Sequence, residues 1–77
     1  MNKARRKRVK EAQDLIQQAM DILQEVNEEE SEALENMPES LQEGERGQQM
    51  QEYIDMLEEA AGGLEDIDGT LEEITEG

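Results

Sequence analysis

Two ladders of apolar residues constrain the fold of this chain more than any other feature. Stepping alternately by three and four residues from Val9 to Met37 meets eight apolar residues in nine positions, Glu30 being the exception. The same stepping from Met50 to Ile74 meets eight apolar residues in eight positions. A 3.5-residue repeat is typical of the seam of a coiled coil or a helical bundle. We therefore predict an all-α fold built on two long, coiled-coil-like helices.

The segment between the ladders interrupts them and predicts a turn. It contains the only proline, Pro38, together with Gly44 and Gly47, which weaken a helix. We predict a single domain over residues 1 to 77, with a first helix from about residue 3 to 36, a loop at about 37 to 44 and a second helix from about 45 to 75. Because a short connector joins helices of similar length, the expected architecture is an antiparallel helical hairpin.

The apolar stripe on each helix is wider than one ladder. Leu15, Ile22 and Ile54 lie beside the ladders, and a wide stripe can contact more than one neighbouring helix. A 77-residue chain without cysteine also buries too little surface to be stable easily on its own. We therefore predict a homodimer in which two hairpins form a four-helix bundle. The predicted dimer or hairpin seam comprises Ile16, Leu23, Val26, Tyr53, Leu57, Leu64, Ile67 and Leu71.

The net charge of −15 is divided unevenly along the chain. Residues 11 to 77 carry all 22 acids and one cation, Arg46. An acidic body of this density repels nucleic acid and anionic membranes and favours basic partners. The other six cations form what we call the basic run: Lys3, Arg5, Arg6, Lys7, Arg8 and Lys10.

Two interpretations of the basic run compete. Dense clusters of Lys and Arg can mark nucleic-acid contact. In an antiparallel hairpin, however, the start of the first helix lies beside the end of the second, where acids are concentrated. Pairing within the chain is the favoured interpretation, because cations at a helix N-terminus oppose its dipole and need compensation. The acids concerned, our candidate acidic interaction surface, are Glu65, Asp66, Asp68, Glu72 and Glu73, with Glu76 beyond them.

The residue inventory argues against catalysis. There is no His and no Cys, and the few hydroxyl groups lie beside acids rather than beside a base that could activate them. We predict no enzyme, no cofactor and no small-molecule substrate. The segment DIDG at residues 66 to 69 lacks the later Glu of a calcium loop, with Thr75 in its place, so no metal site is predicted either.

Hydropathy argues against a membrane location. No run approaches the ~20 apolar residues that a bilayer core requires. Acids and glutamines also interrupt the stretch after the basic run, where a signal peptide would be apolar. We therefore expect a cytoplasmic protein.

The basic start, the heptad helix ending in acids and the segment NMPESLQEGERGQQMQEYIDMLEEA form a recognisable pattern over nearly the whole chain. The chain resembles small uncharacterised acidic helical-hairpin proteins encoded in phages and mobile elements of Gram-positive gut bacteria. The resemblance implies a bacterial host cell and a genomic setting in which small acidic inhibitors of host defence nucleases also occur. The tract at Gly62, Gly63 and Gly69 departs from the smoother helix expected there, and either a bend or a tolerated weak spot would account for it.

Three functions are consistent with these features. The favoured one is a self-associating interaction module whose acidic surface engages a basic protein site, because rows of carboxylates can imitate the phosphates of a duplex. Such a module could inhibit a host defence or DNA-binding protein by nucleic-acid mimicry. The alternatives are a nucleic-acid-associated accessory protein that uses the basic run, and a purely structural assembly component. The competing explanation of the acids is ordinary solubilising charge at the outward heptad positions.

Overall fold

The chain folds into two long helices and a short one, described over all 77 residues in a computed structural model. Helix α1 spans Lys3–Glu35, α2 spans Glu39–Gln42 and α3 spans Glu45–Glu76. The two long helices pack side by side along their length into a rod of 58 × 14 × 13 Å. The prediction of an all-α fold with two long helices packed together is confirmed.

The turn between the long helices is held by one glutamine. The ring of Pro38 is incompatible with a continuing helix, so α1 ends before it. The side-chain amide of Gln42 then donates hydrogen bonds to the carbonyl oxygens of Glu35 at 3.3 Å and Met37 at 2.8 Å. Carbonyl groups at a helix end have no partner within the helix. The bond to Glu35 satisfies one of them, and the bond to Met37 satisfies a carbonyl of the turn beyond α1.

Gly47 lies inside the first turn of α3 and permits a close approach rather than a break. It is buried, and a Cβ added to it would lie only 2.6 Å from the Cα of Gln42. The backbone of α2 therefore packs directly on α3 at this point, which only a residue without a side chain allows.

The contact between α1 and α3 uses a stripe displaced from the predicted ladders. Half-buried or buried residues recur in alternating steps of three and four from Arg6 to Leu34 and from Gly47 to Thr75. Every second rung of the ladders falls outside this stripe, and Val26, Tyr53 and Ile67 are 40, 50 and 51% exposed. These three residues therefore lie outside the contact within one hairpin, and their place in a dimer seam stays a prediction. The other five predicted residues are half-buried between the helices: Ile16, Leu23, Leu57, Leu64 and Leu71.

Polar residues within this stripe make hydrogen bonds between the two long helices. The side-chain amide of Gln13 donates to the carboxylate oxygens of Asp68 at 3.4 Å and Glu72 at 2.8 Å, and that of Asn27 donates to the carbonyl oxygen of Ile54 at 3.4 Å. Polar groups that lose water on packing need such partners. The flank that contains polar residues is thus satisfied between the helices, and the more apolar flank is left outside.

The core of a single hairpin is very small. Ile54, which lies beside the predicted ladder, is the only buried apolar residue, at 5% exposure. The remaining seam residues keep part of their surface in water, because each of two helices packed side by side covers only one side of the other.

Helix α3 runs without interruption through Gly62, Gly63 and Gly69. A Cβ at any of the three would meet nothing within 4 Å. Since Gly inside a helix costs about 1 kcal/mol relative to Ala, we expect Gly62→Ala and Gly69→Ala each to raise the free energy of unfolding by about 1 kcal/mol. Urea denaturation followed by circular dichroism measures this. A loss of stability would show that the helix bends there or that another chain lies close to these two positions.

Candidate interaction surfaces

The basic run occupies the first turns of α1 at the open end of the hairpin. All of its side chains are exposed except Arg6, which is half-buried in the seam. The buried Nε of Arg6 has no hydrogen-bond partner. Lys3, Lys7 and Lys10 line a shallow groove with Arg6 and with Thr75 near the end of α3.

The hairpin brings the basic run close to the acids at the end of α3 without bonding the two. Lys10 shares a groove with Asp68 and Glu72, but no side-chain hydrogen bond in the structure uses a Lys or Arg side chain as donor. Both acids accept their bonds from Gln13 instead. The predicted pairing within the chain therefore amounts to proximity and general charge attraction, and five of the six cations stay accessible.

One broad side of the hairpin, which we call the acidic face, has polar residues or glycine outside the seam. Seven-residue spacing places on it Asp14, Asp21, Glu28 and Glu35 of α1 and Glu58, Glu65 and Glu72 of α3, and Asp55 lies one helical turn before Glu58. A groove that joins Asp21 and Glu28 to Glu58 and Glu65 shows that both helices contribute to the same side. Of the candidate acidic surface, Glu65 and Glu72 lie on this face. Asp66 and Glu73 lie one position further round α3, and Asp68 lies in the seam.

The opposite side, which we call the apolar face, carries most of the large exposed apolar side chains of the molecule. The two helices again share it, since Val26 of α1 lines a groove with Tyr53 and Met56 of α3. The same seven-residue spacing adds small residues between the large ones. The full set is Ala12, Leu15, Ala19, Ile22, Val26 and Ala33 of α1 with Tyr53, Met56, Ala60, Ile67 and Ile74 of α3.

Acids are almost excluded from the apolar face. Of the 22 acids in the chain, only Glu29 occupies one of the heptad positions that form the apolar face. Glu30 lies in the seam, at the edge of this face. Three of the seven cations, Arg5, Arg8 and Arg46, fall at its ends. Charge is therefore segregated between two faces as well as along the chain.

The ladders predict extra apolar residues beside the seam but do not separate this face from it. Leu15 and Ile22 are predicted only to widen the apolar stripe so that it can contact a further helix. The signal that distinguishes the face is the absence of acids at seven-residue intervals, combined with the polar residues Gln13 and Asn27 at the positions that pair in the hairpin.

Other kinds of site find no support in the geometry. No group of three or more His, Cys, Asp or Glu side chains is placed to hold a metal ion. None of the three helices combines the length and the apolar character needed to cross a bilayer. Comparison with protein-family models, curated proteins and solved structures gives no match for this chain. The two faces and the basic run are therefore the features of the molecule that point to a function.

Proposed function

We propose that this chain is a non-enzymatic, self-associating interaction module whose acidic surface engages a basic site on another protein. The observation that supports it is the segregation of the two faces. An apolar face of this extent on a small chain is typical of a protein-protein contact. Association through the apolar face leaves the acidic face on the outside, where a basic partner can reach it.

The partner we favour is a protein with a basic cleft for nucleic acid. The acidic face presents its carboxylates in rows along a rod 58 Å long, and such rows attract the same clefts that bind phosphates. In the cytoplasm of a bacterial host cell, a chain of this kind would act as a mobile-element inhibitor of a defence or DNA-binding protein by nucleic-acid mimicry.

Affinity capture from a bacterial lysate tests the acidic face. We expect the chain to retain basic DNA-binding proteins, and excess duplex DNA or moderate salt to release them, because both compete with or screen the carboxylates. The matched variant Glu58→Gln/Glu65→Gln/Glu72→Gln keeps the apolar face and removes three charges at one side, and it should retain far less. Mass spectrometry of the retained proteins is the measurement. Equal retention by the variant would contradict the proposal.

The basic run supports a second candidate, an accessory protein that contacts nucleic acid directly. The side chains of its five exposed cations donate no hydrogen bonds within the chain, so they are available to phosphates. Replacing Arg5, Arg6, Lys7 and Arg8 with Gln distinguishes the two functions. Duplex binding in a mobility-shift assay would be lost if the run is the contact, whereas capture of basic proteins by the acidic face would persist. A purely structural assembly component would show neither binding.

A further inference from the structure

We infer that a second copy of this chain covers the apolar face in a two-fold dimer. The tips of the two hairpins, residues 28 to 52 of each chain, then lie at opposite ends of the dimer. The inference builds on the self-association in the proposed function and specifies its surface and direction. The two-fold axis runs across the rod, within the interface, so that α1 packs antiparallel on the partner's α1 and α3 on the partner's α3.

The apolar face is continuous over the middle of both long helices. Its apolar residues run from Ala12 to Ala33 of α1 and from Tyr53 to Ile74 of α3, about 32 Å of each helix at ~1.5 Å per residue. In the single hairpin its large side chains, such as Ile22, Tyr53 and Ile67, are about half exposed or more. Covering them supplies the core that Ile54 alone does not provide.

The charges on the apolar face are complementary to a reversed copy of the same face. Along α1 the face begins with Arg5 and Arg8 and ends with Glu29, with Glu30 at its border. When the α1 helices of two chains pack antiparallel, the cations at the start of each α1 lie close to the acids near the end of the other. The two-fold axis produces this contact twice in the dimer. A two-fold interface must be self-complementary in this way.

The charges at the two ends of the hairpin also decide the direction. The tip, residues 28 to 52, carries nine acids and one cation, a net charge of −8. The open end, residues 1 to 17 and 65 to 77, carries eight acids and six cations, a net charge of −2. A dimer with both tips together would place −8 beside −8, whereas the reversed dimer places −8 beside −2 at each end. Like charges at close range are unfavourable, so the reversed dimer is preferred.

The middle of the rod is shaped for a close crossing. Ala19 is the central residue of α1, Ala60 lies at the middle of α3, and both belong to the apolar face. Small side chains there let the helices of two copies approach at the point where the two-fold axis passes. Large residues such as Ile22 and Ile67 lie on either side of this point and fill the space around it.

A spin-label distance between the two tips tests the direction. The chain has no cysteine, so Ser40→Cys in the exposed α2 places one label at each tip. We expect pulsed electron resonance of the labelled, otherwise intact chain to give an inter-chain distance close to the 58 Å length of the rod. A distance comparable with its 14 Å width would mean that the tips lie together and would overturn the inference. The absence of any inter-chain distance would overturn it as well.

A pair of variants tests the surface and distinguishes this inference from the proposed function. Ile22→Glu/Ile67→Glu places two acids on the apolar face, and Gln24→Glu/Gln51→Glu adds the same two charges on the opposite side. We expect the sedimentation mass to fall to one chain for the first variant and to stay at two chains for the second. If both remain dimers, the surface is wrong while self-association stands. If the unaltered chain is a monomer, the self-association in the proposed function fails too.

Discussion

Replacing Ile54 by Ala is expected to lower the free energy of unfolding by about 2–5 kcal/mol, the usual cost of removing a large buried side chain. Ile54 is the only buried apolar residue of the hairpin, and its carbonyl oxygen accepts the hydrogen bond from Asn27 that links α3 to α1. Small domains have only about 5–15 kcal/mol of stability in total, so this variant should be largely unfolded at temperatures where the unaltered chain is folded. Thermal and urea unfolding at equal chain concentration measure the effect.

Leu41→Ala is the control for Ile54→Ala. Leu41 is 55% exposed in the short helix α2, away from the contact between the long helices. Its truncation should change the free energy of unfolding by no more than about 0.5 kcal/mol. If the two variants lost equal stability, Ile54 would not be the centre of the packing between α1 and α3.

Replacing Gly47 by Ala is expected to destabilise the chain by about 1–3 kcal/mol, although Ala is the better helix former. The added methyl group would overlap the backbone of Gln42. A backbone segment cannot relieve the overlap by changing a side-chain rotamer. The overlap would force α2 away from α3 and strain the bonds that Gln42 donates to Glu35 and Met37. Urea unfolding gives the size of the effect, and hydrogen exchange should show the loss of protection beginning at the tip.

The comparison with Gly62→Ala isolates the cause. Both substitutions replace a glycine of α3 by alanine. Of these two glycines, only Gly47 packs against another backbone segment. Opposite signs are expected, with Gly47→Ala destabilising and Gly62→Ala stabilising. Two variants that both gained stability would show that the close contact at the tip does not exist in solution.

Much of the architecture could be predicted from the sequence because the repeat and the turn are strong local signals. Alternating steps of three and four residues require a helix, and Pro38 cannot continue one. The face used by the hairpin was harder to predict. Val9, Ile16 and Leu23 are shared by two overlapping stripes on α1, and periodicity alone does not say which flank pairs within the chain.

The choice between the flanks depends on contacts that only the folded chain reveals. The ladder through Val26, Tyr53 and Ile67 is the more apolar one and was the natural prediction. The hairpin instead pairs the flank that contains Gln13 and Asn27, whose side-chain amides donate hydrogen bonds to residues far away in the sequence. The role of Gly47 could not be predicted either, because the backbone of Gln42 comes close to it only in the folded tip.

The two faces connect this fold to the proposed function. In the proposed dimer a second copy of the chain covers the apolar face with charges that complement it. The acidic face would then lie on both outer sides of the dimer, so that one assembly would offer two equivalent surfaces to basic partners. Two such surfaces on one assembly would strengthen attachment to a partner that is itself a dimer.

Sedimentation equilibrium of the unaltered chain at micromolar concentration measures whether two copies associate. The chain mass is 8.8 kDa, and we expect a particle of twice that mass. The unfolding temperature should also rise with chain concentration, since association stabilises the folded state by mass action. A mass of one chain, with an unfolding temperature independent of concentration, would contradict the claim that a second copy covers the apolar face.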